Sequence, residues 1–318
     1  MLDETLSPRG CPTICPIAAT SLSAYAPAMT DSPDLSPADR RAPVSAPPHP
    51  PHPPAADPLA DPAVAARHLA EAVVAAGAVA VEMFRAGVKS WSKHNDSPVT
   101  EADIAVDRML RERLGRLSPT YGWLSEETVD EPSRLACRRV WIVDPIDGTR
   151  AYMAGGSDWC VEAALVEDGR PIAGALFAPL TEELFIAVRG GGATCNGQPI
   201  AASQAGAVSG ALADGPAPWL NHIDGRIAPL APLRRVMRIR SLALRIARVA
   251  TGELDAAFAS PNGHDWDLAA ADLLVHEAGG RLTTLDGLAL AYNAPVPRHG
   301  ALVSAGPRLY PSLLDAAR

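Results

Sequence analysis

Between residues 141 and 149 the chain reads Trp-Ile-Val-Asp-Pro-Ile-Asp-Gly-Thr, an apolar, β-branched run that ends in two carboxylates, a glycine and a hydroxyl. Arg139 to Val143 suit a short strand buried on both faces. Asp144-Pro145 is expected to stop it, because proline brings no N–H to a ladder. The carboxylate of Asp144 then stands at a strand end, where sheets of this kind bind ligands. Asp147 can turn back to the same point, and two hard oxygen ligands so placed suit Mg²⁺. Gly148 allows close backbone approach, and its N–H with that of Thr149 opens an anion-binding nest. The same pentapeptide is also what a plain turn looks like. The rest of the chain has to separate the two readings.

Two folded bodies fit into 318 residues, and a content of 47% hydrophobic with 20% charged residues suits a soluble chain. A net charge of −8 argues against coating a nucleic acid polymer, which needs a basic surface. A small phosphorylated partner stays compatible, since a bound cation inverts the local sign. Cys11, Cys15, Cys137, Cys160 and Cys195 are odd in number and contain no Cys-x-x-Cys pair, so a reducing, cytoplasmic setting is expected. No uninterrupted apolar run approaches the length of a membrane span. The acidic start, Met1-Leu2-Asp3-Glu4, disfavours an export signal, and Met29 offers an alternative start. A homodimer is left open.

Residues 1–60 are dominated by Pro, Ala, Ser and Asp and are expected to form a disordered arm of polyproline character. Order is expected from Asp61-Pro62, a cap followed by proline at the first helical position. Leu69, Val73, Ala76, Ala80 and Phe84 then recur at helical spacing up to Gly87. Thr100 with Asp103 reads as a capping box opening a second helix. Tyr121 to Thr128 reads as a strand ending in Glu126-Glu127, and residues 158–188 as an antiparallel meander. Residues 61–192 therefore read as an α+β domain. Residues 193–318, with a helix from Ser241, a strand near Leu254, a helix from Leu268 and a strand at Arg281, read as an α/β domain.

Acidic residues now stand at four element boundaries: Asp103, Glu126, Asp144 with Asp147, and Asp265 or Asp267. One at a time each is a cap or a turn. Together they resemble the inositol monophosphatase superfamily of Mg²⁺-dependent, lithium-sensitive phosphatases. The resemblance spans roughly residues 61–318 and rests on Val99-Thr100-x-x-Asp103 with Glu126-Glu127, on Asp144-Pro145-Ile146-Asp147-Gly148-Thr149, and on Trp266-Asp267-x-Ala269-Ala270 with Ala278-Gly279-Gly280. It implies a layered α-β-α-β-α fold and two or three Mg²⁺ per site. Glu126, Asp144 and the Ile146 carbonyl would hold the first metal, and Asp144, Asp147 and Asp267 a second. Asp103 with Thr149 would orient and deprotonate the attacking water, and the N–H groups of Gly148 and Thr149 would receive the phosphate. Asp144 and Asp147 lie three apart, which favours metal ligation over a covalent aspartyl nucleophile, so no phosphoenzyme is expected.

The substrate is read from weaker signs. Inositol-specific members place a glutamate where this chain has Ser260, and histidinol-phosphate members share Arg150 but vary the Trp-Asp block. Ser92-Lys93 and a basic residue after Ser241 resemble bacterial 3'(2'),5'-bisphosphate nucleotidases. Ser241 and Arg245 on that basis, with Arg150, are expected as substrate contacts, and adenosine 3',5'-bisphosphate as the leading substrate. Inositol-1-phosphate or another sugar or histidinol phosphate is the alternative, and a catalytically idle scaffold the alternative outside enzymes.

Overall fold

In the computed structural model residues 57, 59–87, 90–92 and 98–318 are described, so most of the expected arm of residues 1–60 and the turn through Lys93 and Asp96 lie outside the described residues. The first helix, α1 (Pro62–Ala86), is capped by the Asp61 side chain, which accepts from Ala63 N, and ends at Gly87 with φ 74°. It is long and apolar enough to cross a membrane by length and composition. Its stripe of Leu69, Val73, Ala76 and Ala80, however, is buried against the protein's own sheet. Gly77 makes that contact close, since a Cβ there would lie 2.5 Å from the Phe177 ring.

Two short antiparallel strands, β1 (Ser90–Ser92) and β2 (Pro98–Thr100), precede α2 (Glu101–Leu117). Next come β3 (Gly122–Ser125), β4 (Arg139–Asp147), the short α3 (Thr149–Met153), and the meander β5 (Cys160–Glu167), β6 (Arg170–Ala178), β7 (Glu183–Val188), β8 (Gly192–Cys195) and β9 (Gln198–Pro199). These strands form a seven-stranded sheet in sequence order. The β3–β4 pair is parallel and the others are antiparallel. The second half supplies β10 (Leu212–Asp214), α4 (Ala217–Ile227), β11 (Arg234–Arg235), α5 (Leu242–Ala250), β12 (Ala256–Ala259), α6 (Ala269–Glu277), β13 (Arg281–Thr284), β14 (Leu302–Ala305) and α7 (Tyr310–Ala317). Its sheet runs β11-β10-β12-β14-β13 and is mixed.

The period-two alternation of strand side chains assigns the layers. On β4, Trp141 and Val143 face α1 and α2, while Val140 and Ile142 face the core shared with α5 and α6. On β12, Ala257 and Ala259 join that same shared core, while Ala256 and Phe258 face α4 and α7. Helices thus lie on both faces of both sheets, with α5 and α6 common to the two. The order of layers is α-β-α-β-α, the fold expected from the sequence, and residues 54–318 gather into one compact unit.

Order starts slightly earlier than expected. Leu59 is 1% exposed in the core under α1, worth roughly 2 kcal/mol of burial. Asp57 accepts from the Tyr121 hydroxyl and pairs with Arg139 at 2.8 Å.

Candidate active site and metal centre

Contrary to expectation, β4 does not stop at Asp144-Pro145 but runs on to Asp147. Asp144 pairs with Glu162 and Asp147 with Cys160, so β4 spends one more residue than β5 across this interval. That bulge accommodates Pro145 and has a second effect. Residues three apart face opposite sides of a regular strand, and the extra residue returns Asp147 to the face of Asp144.

Each carboxylate is held by its local backbone. Asp144 is 1% exposed, and its Oδ1 accepts from Ile146 N at 2.9 Å. Asp147 Oδ2 accepts from Ser241 Oγ at 2.6 Å and from Ala243 N at 2.7 Å, so the start of α5 fixes it. Asp267, just ahead of α6, accepts at Oδ2 from His264 N at 2.7 Å. Asp144, Asp147 and Asp267 each bring an oxygen within 4.8 Å of the others, spacing that can hold a metal ion. Glu126 follows β3, whose last residue Ser125 pairs with Val143, and so lines the same cleft as Asp144.

The electrostatics agree with a cation site. Burial, then Glu126, Asp147, Asp267 and Glu162, push the Asp144 carboxyl well above the carboxylate range. Burial and Asp267 push Asp147 up to about 6, against the hydrogen bonds from Ser241 and the start of α5. Among the described residues Asp144 Oδ2 is buried without a hydrogen-bond partner. A buried acceptor left this way among like charges is costly, and a divalent cation with oxygen-ligand preference relieves it. The donor set therefore fits Mg²⁺.

Asp103 both caps and faces the site, so the two readings of it are joined. Its Oδ2 accepts from the Thr100 N–H at 2.7 Å and hydroxyl at 2.6 Å, completing the capping box. Its other oxygen, Oδ1, lies 3.4 Å from the Thr149 hydroxyl, which also points at the Ile146 carbonyl at 3.1 Å. Gly148 has φ 95°, and a Cβ there would lie 2.8 Å from the Asp158 carbonyl, so glycine is required where the chain turns into α3.

Around these groups lies a cleft of about 630 Å³ lined by Glu126, Asp144, Ile146, Asp147, Gly148, Thr149 and Asp267 on one side. The arginines Arg150, Arg238 and Arg240 complete its wall. The structure does not bring Arg245 to this cleft. Its side chain is 3% exposed and pairs with Asp214 at 3.1 Å, while its Nη1 and Nη2 donate to the Phe258 and Ile239 carbonyls. An inward helix position beside a buried aspartate takes the guanidinium away from any substrate. Ser241 is likewise fully buried, serving Asp147 and the first turn of α5.

Arg238 and Arg240 were not singled out by sequence. The available signal was their i, i+2 spacing around Ile239, which puts both side chains on one side of an extended segment. That segment is clamped from behind, because Asp214 accepts from Ile239 N at 2.8 Å and Arg245 donates to Ile239 O. His264 stacks on Trp266 with ring centroids 4.5 Å apart. Asp265 is buried and accepts from His299 Nε2 at 2.8 Å and Asn293 N at 2.7 Å, so it anchors the loop and leaves Asp267 to the site.

Comparison with known proteins agrees with this geometry. The model of the Inositol monophosphatase family matches residues 61–318. A histidinol-phosphatase of Mycobacterium tuberculosis is 37% identical over 206 residues, which span 62% of this chain and 78% of that protein. An inositol-1-monophosphatase of Rhizobium meliloti is 37% identical over 199 residues, 59% of this chain and 73% of that one. The solved structure of the extragenic suppressor protein suhB from Bartonella henselae superposes with a TM-score of 0.66 at 26% identity, covering 79% of this chain and 97% of that chain.

Proposed function

Because the chain belongs to the inositol monophosphatase family, whose members hydrolyse phosphate monoesters, we propose that its cleft cleaves a small phosphate monoester bearing a second anionic group, with two or three Mg²⁺ held by the carboxylates. The observation that carries this reading is the pairing of a carboxylate cage with three arginines across one cleft.

Glu126, Asp144 and the Ile146 carbonyl would hold one cation, and Asp144, Asp147 and Asp267 another. When bound, Mg²⁺ supplies a water that deprotonates near neutral pH and charge that neutralises the phosphoryl oxygens. The chain's own groups do the remainder. Asp103 with the Thr149 hydroxyl orients the attacking water and takes its proton, since the other Asp103 oxygen is committed to Thr100. The N–H groups of Gly148 and Thr149 receive the phosphate and hold it for in-line attack, without a covalent phosphoenzyme. Arg150, Arg238 and Arg240 receive the rest of the substrate, and a guanidinium pairs best with planar or tetrahedral oxyanions.

Adenosine 3',5'-bisphosphate is the leading substrate, with its second phosphate on Arg238 and Arg240 in place of the buried Arg245. Histidinol phosphate is the second reading, favoured by Arg150 and by the 37%-identical histidinol-phosphatase. A side-by-side turnover panel of adenosine 3',5'-bisphosphate, histidinol phosphate and inositol-1-phosphate with Mg²⁺ tests the assignment. Highest kcat/KM for the bisphosphate is expected. Preference for inositol-1-phosphate or for histidinol phosphate, neither of which carries a second anion, would remove the role given to the arginines.

A further inference from the structure

Glu162 is an acid in a place built for an apolar residue. It lies on β5 between Cys160 and Ala164, which share its face and belong to the core under α5 and α6. It is 1% exposed, and among the described residues neither of its carboxylate oxygens has a hydrogen-bond partner. The charges that act on it come from Asp147 and Asp267, both negative. Across the sheet it pairs directly with Asp144, which places the two β-carbons about 5 Å apart on one face. Asp144 Oδ2 is also buried and without a partner.

A lone carboxylate in an apolar core is costly, and a second one beside it more so. Valine or alanine at this position would continue the face made by Cys160 and Ala164. The sheet register instead sets Glu162 immediately behind the residue that the cleft reading makes a bridging metal ligand. We infer that Glu162 is a fifth carboxylate of the metal centre, placed behind Asp144 to raise the affinity of the site for divalent cations. The inference rests on the metal-dependent reading of the cleft and adds a residue from β5 to it. Groups that surround metal ligands typically change metal affinity by about 10- to 100-fold when mutated, and Glu162, without a hydrogen bond to Asp144, would do so by its charge. With cations bound beside it, the ionised carboxylate acts on them through a dry interior, where screening by solvent is weak.

The test is direct Mn²⁺ binding, by titration calorimetry on the full chain, for the parent, Glu162→Gln and Glu162→Leu. Glutamine keeps the shape and removes the charge, and leucine restores an apolar core. Both variants are expected to bind Mn²⁺ about tenfold or more weakly, with a smaller rise in Tm on adding Mg²⁺ and a metal-free Tm no lower than the parent's. A purely structural glutamate would do the reverse, lowering the metal-free Tm and leaving Mn²⁺ affinity alone. Mn²⁺ affinity within about twofold of the parent in the folded variants overturns the inference, and so does failure of both variants to fold. If the parent itself binds no Mn²⁺, the metal-dependent reading falls with it, which keeps the two failures distinct.

Discussion

Two clusters of buried charge adjoin α5, and they are satisfied in opposite ways. In one, Arg245 of α5 and Asp214 of β10 are each 3% exposed, oppositely charged, and hydrogen-bonded to Phe258, Ile239 and one another. In the other, Asp144, Asp147, Asp267 and Glu162 are gathered with like charge, and three of their oxygens are buried without partners among the described residues. The first cluster is complete within the protein and holds the Ile239 segment. The second is incomplete among the described residues, and its geometry can hold a metal ion. A buried charge closed by its own chain is architecture; one left open in a cleft is a binding site.

The sharpest way to break this contrast is to remove one member of each cluster. Asp144→Asn is expected to lower kcat roughly 1,000-fold or more, measured as phosphate release at saturating Mg²⁺, while Tm without metal does not fall. Arg245→Leu is expected to do the opposite to stability. It strands the Asp214 charge and costs about 3–5 kcal/mol in urea unfolding, with or without Mg²⁺. Equal effects of the two substitutions on metal-free stability would erase the distinction drawn here.

A pH series separates the clusters more gently. Burial and Asp267 push the Asp147 carboxyl up from its ordinary 3.8 to about 6 in the folded, metal-free protein, so folding favours its protonated form. Its contribution is fully present below about pH 4 and is lost as pH rises through about 6. Metal-free Tm should therefore fall by about 5 °C or more over that window, and Mg²⁺ should raise Tm more at about pH 8 than at about pH 5. A metal-free Tm that rises over that window would contradict the cage electrostatics. The smallest expected effect lies at the cleft arginines. Arg238→Ala should reduce kcat/KM for adenosine 3',5'-bisphosphate about tenfold, with less than about twofold change for inositol-1-phosphate.

The gathering of the acids was legible in part, because they stand in or beside elements whose patterns are strong. Thr100 with Asp103 is a capping box that opens α2, and the Trp141–Val143 run leads straight to Asp144. What the sequence did not carry was the bulge, which depends on how β4 and β5 pair. Arg245 was misread for the same reason: a basic residue on an amphipathic helix faces in or out according to a partner, and Asp214 is brought to it only by the second sheet. Leu212–Asp214 is a three-residue strand in a small-residue stretch, too short for a periodic signal, yet it lies between β11 and β12 in the sheet. Arg238 and Arg240 share that obscurity, since they lie in a segment held by the Asp214 clamp. Glu162 looked like one polar residue within an antiparallel meander. Its significance appears only when the residue across the sheet is known to be Asp144.

The most direct test of the central claim is phosphate release from a small phosphate monoester after the protein is stripped with EDTA and Mg²⁺ is restored. Turnover is predicted to vanish on stripping and to return saturably with Mg²⁺. Turnover that survives complete metal removal, or that fails to appear at any Mg²⁺ concentration in folded protein, would contradict the assignment of the open carboxylate cluster as a catalytic metal centre.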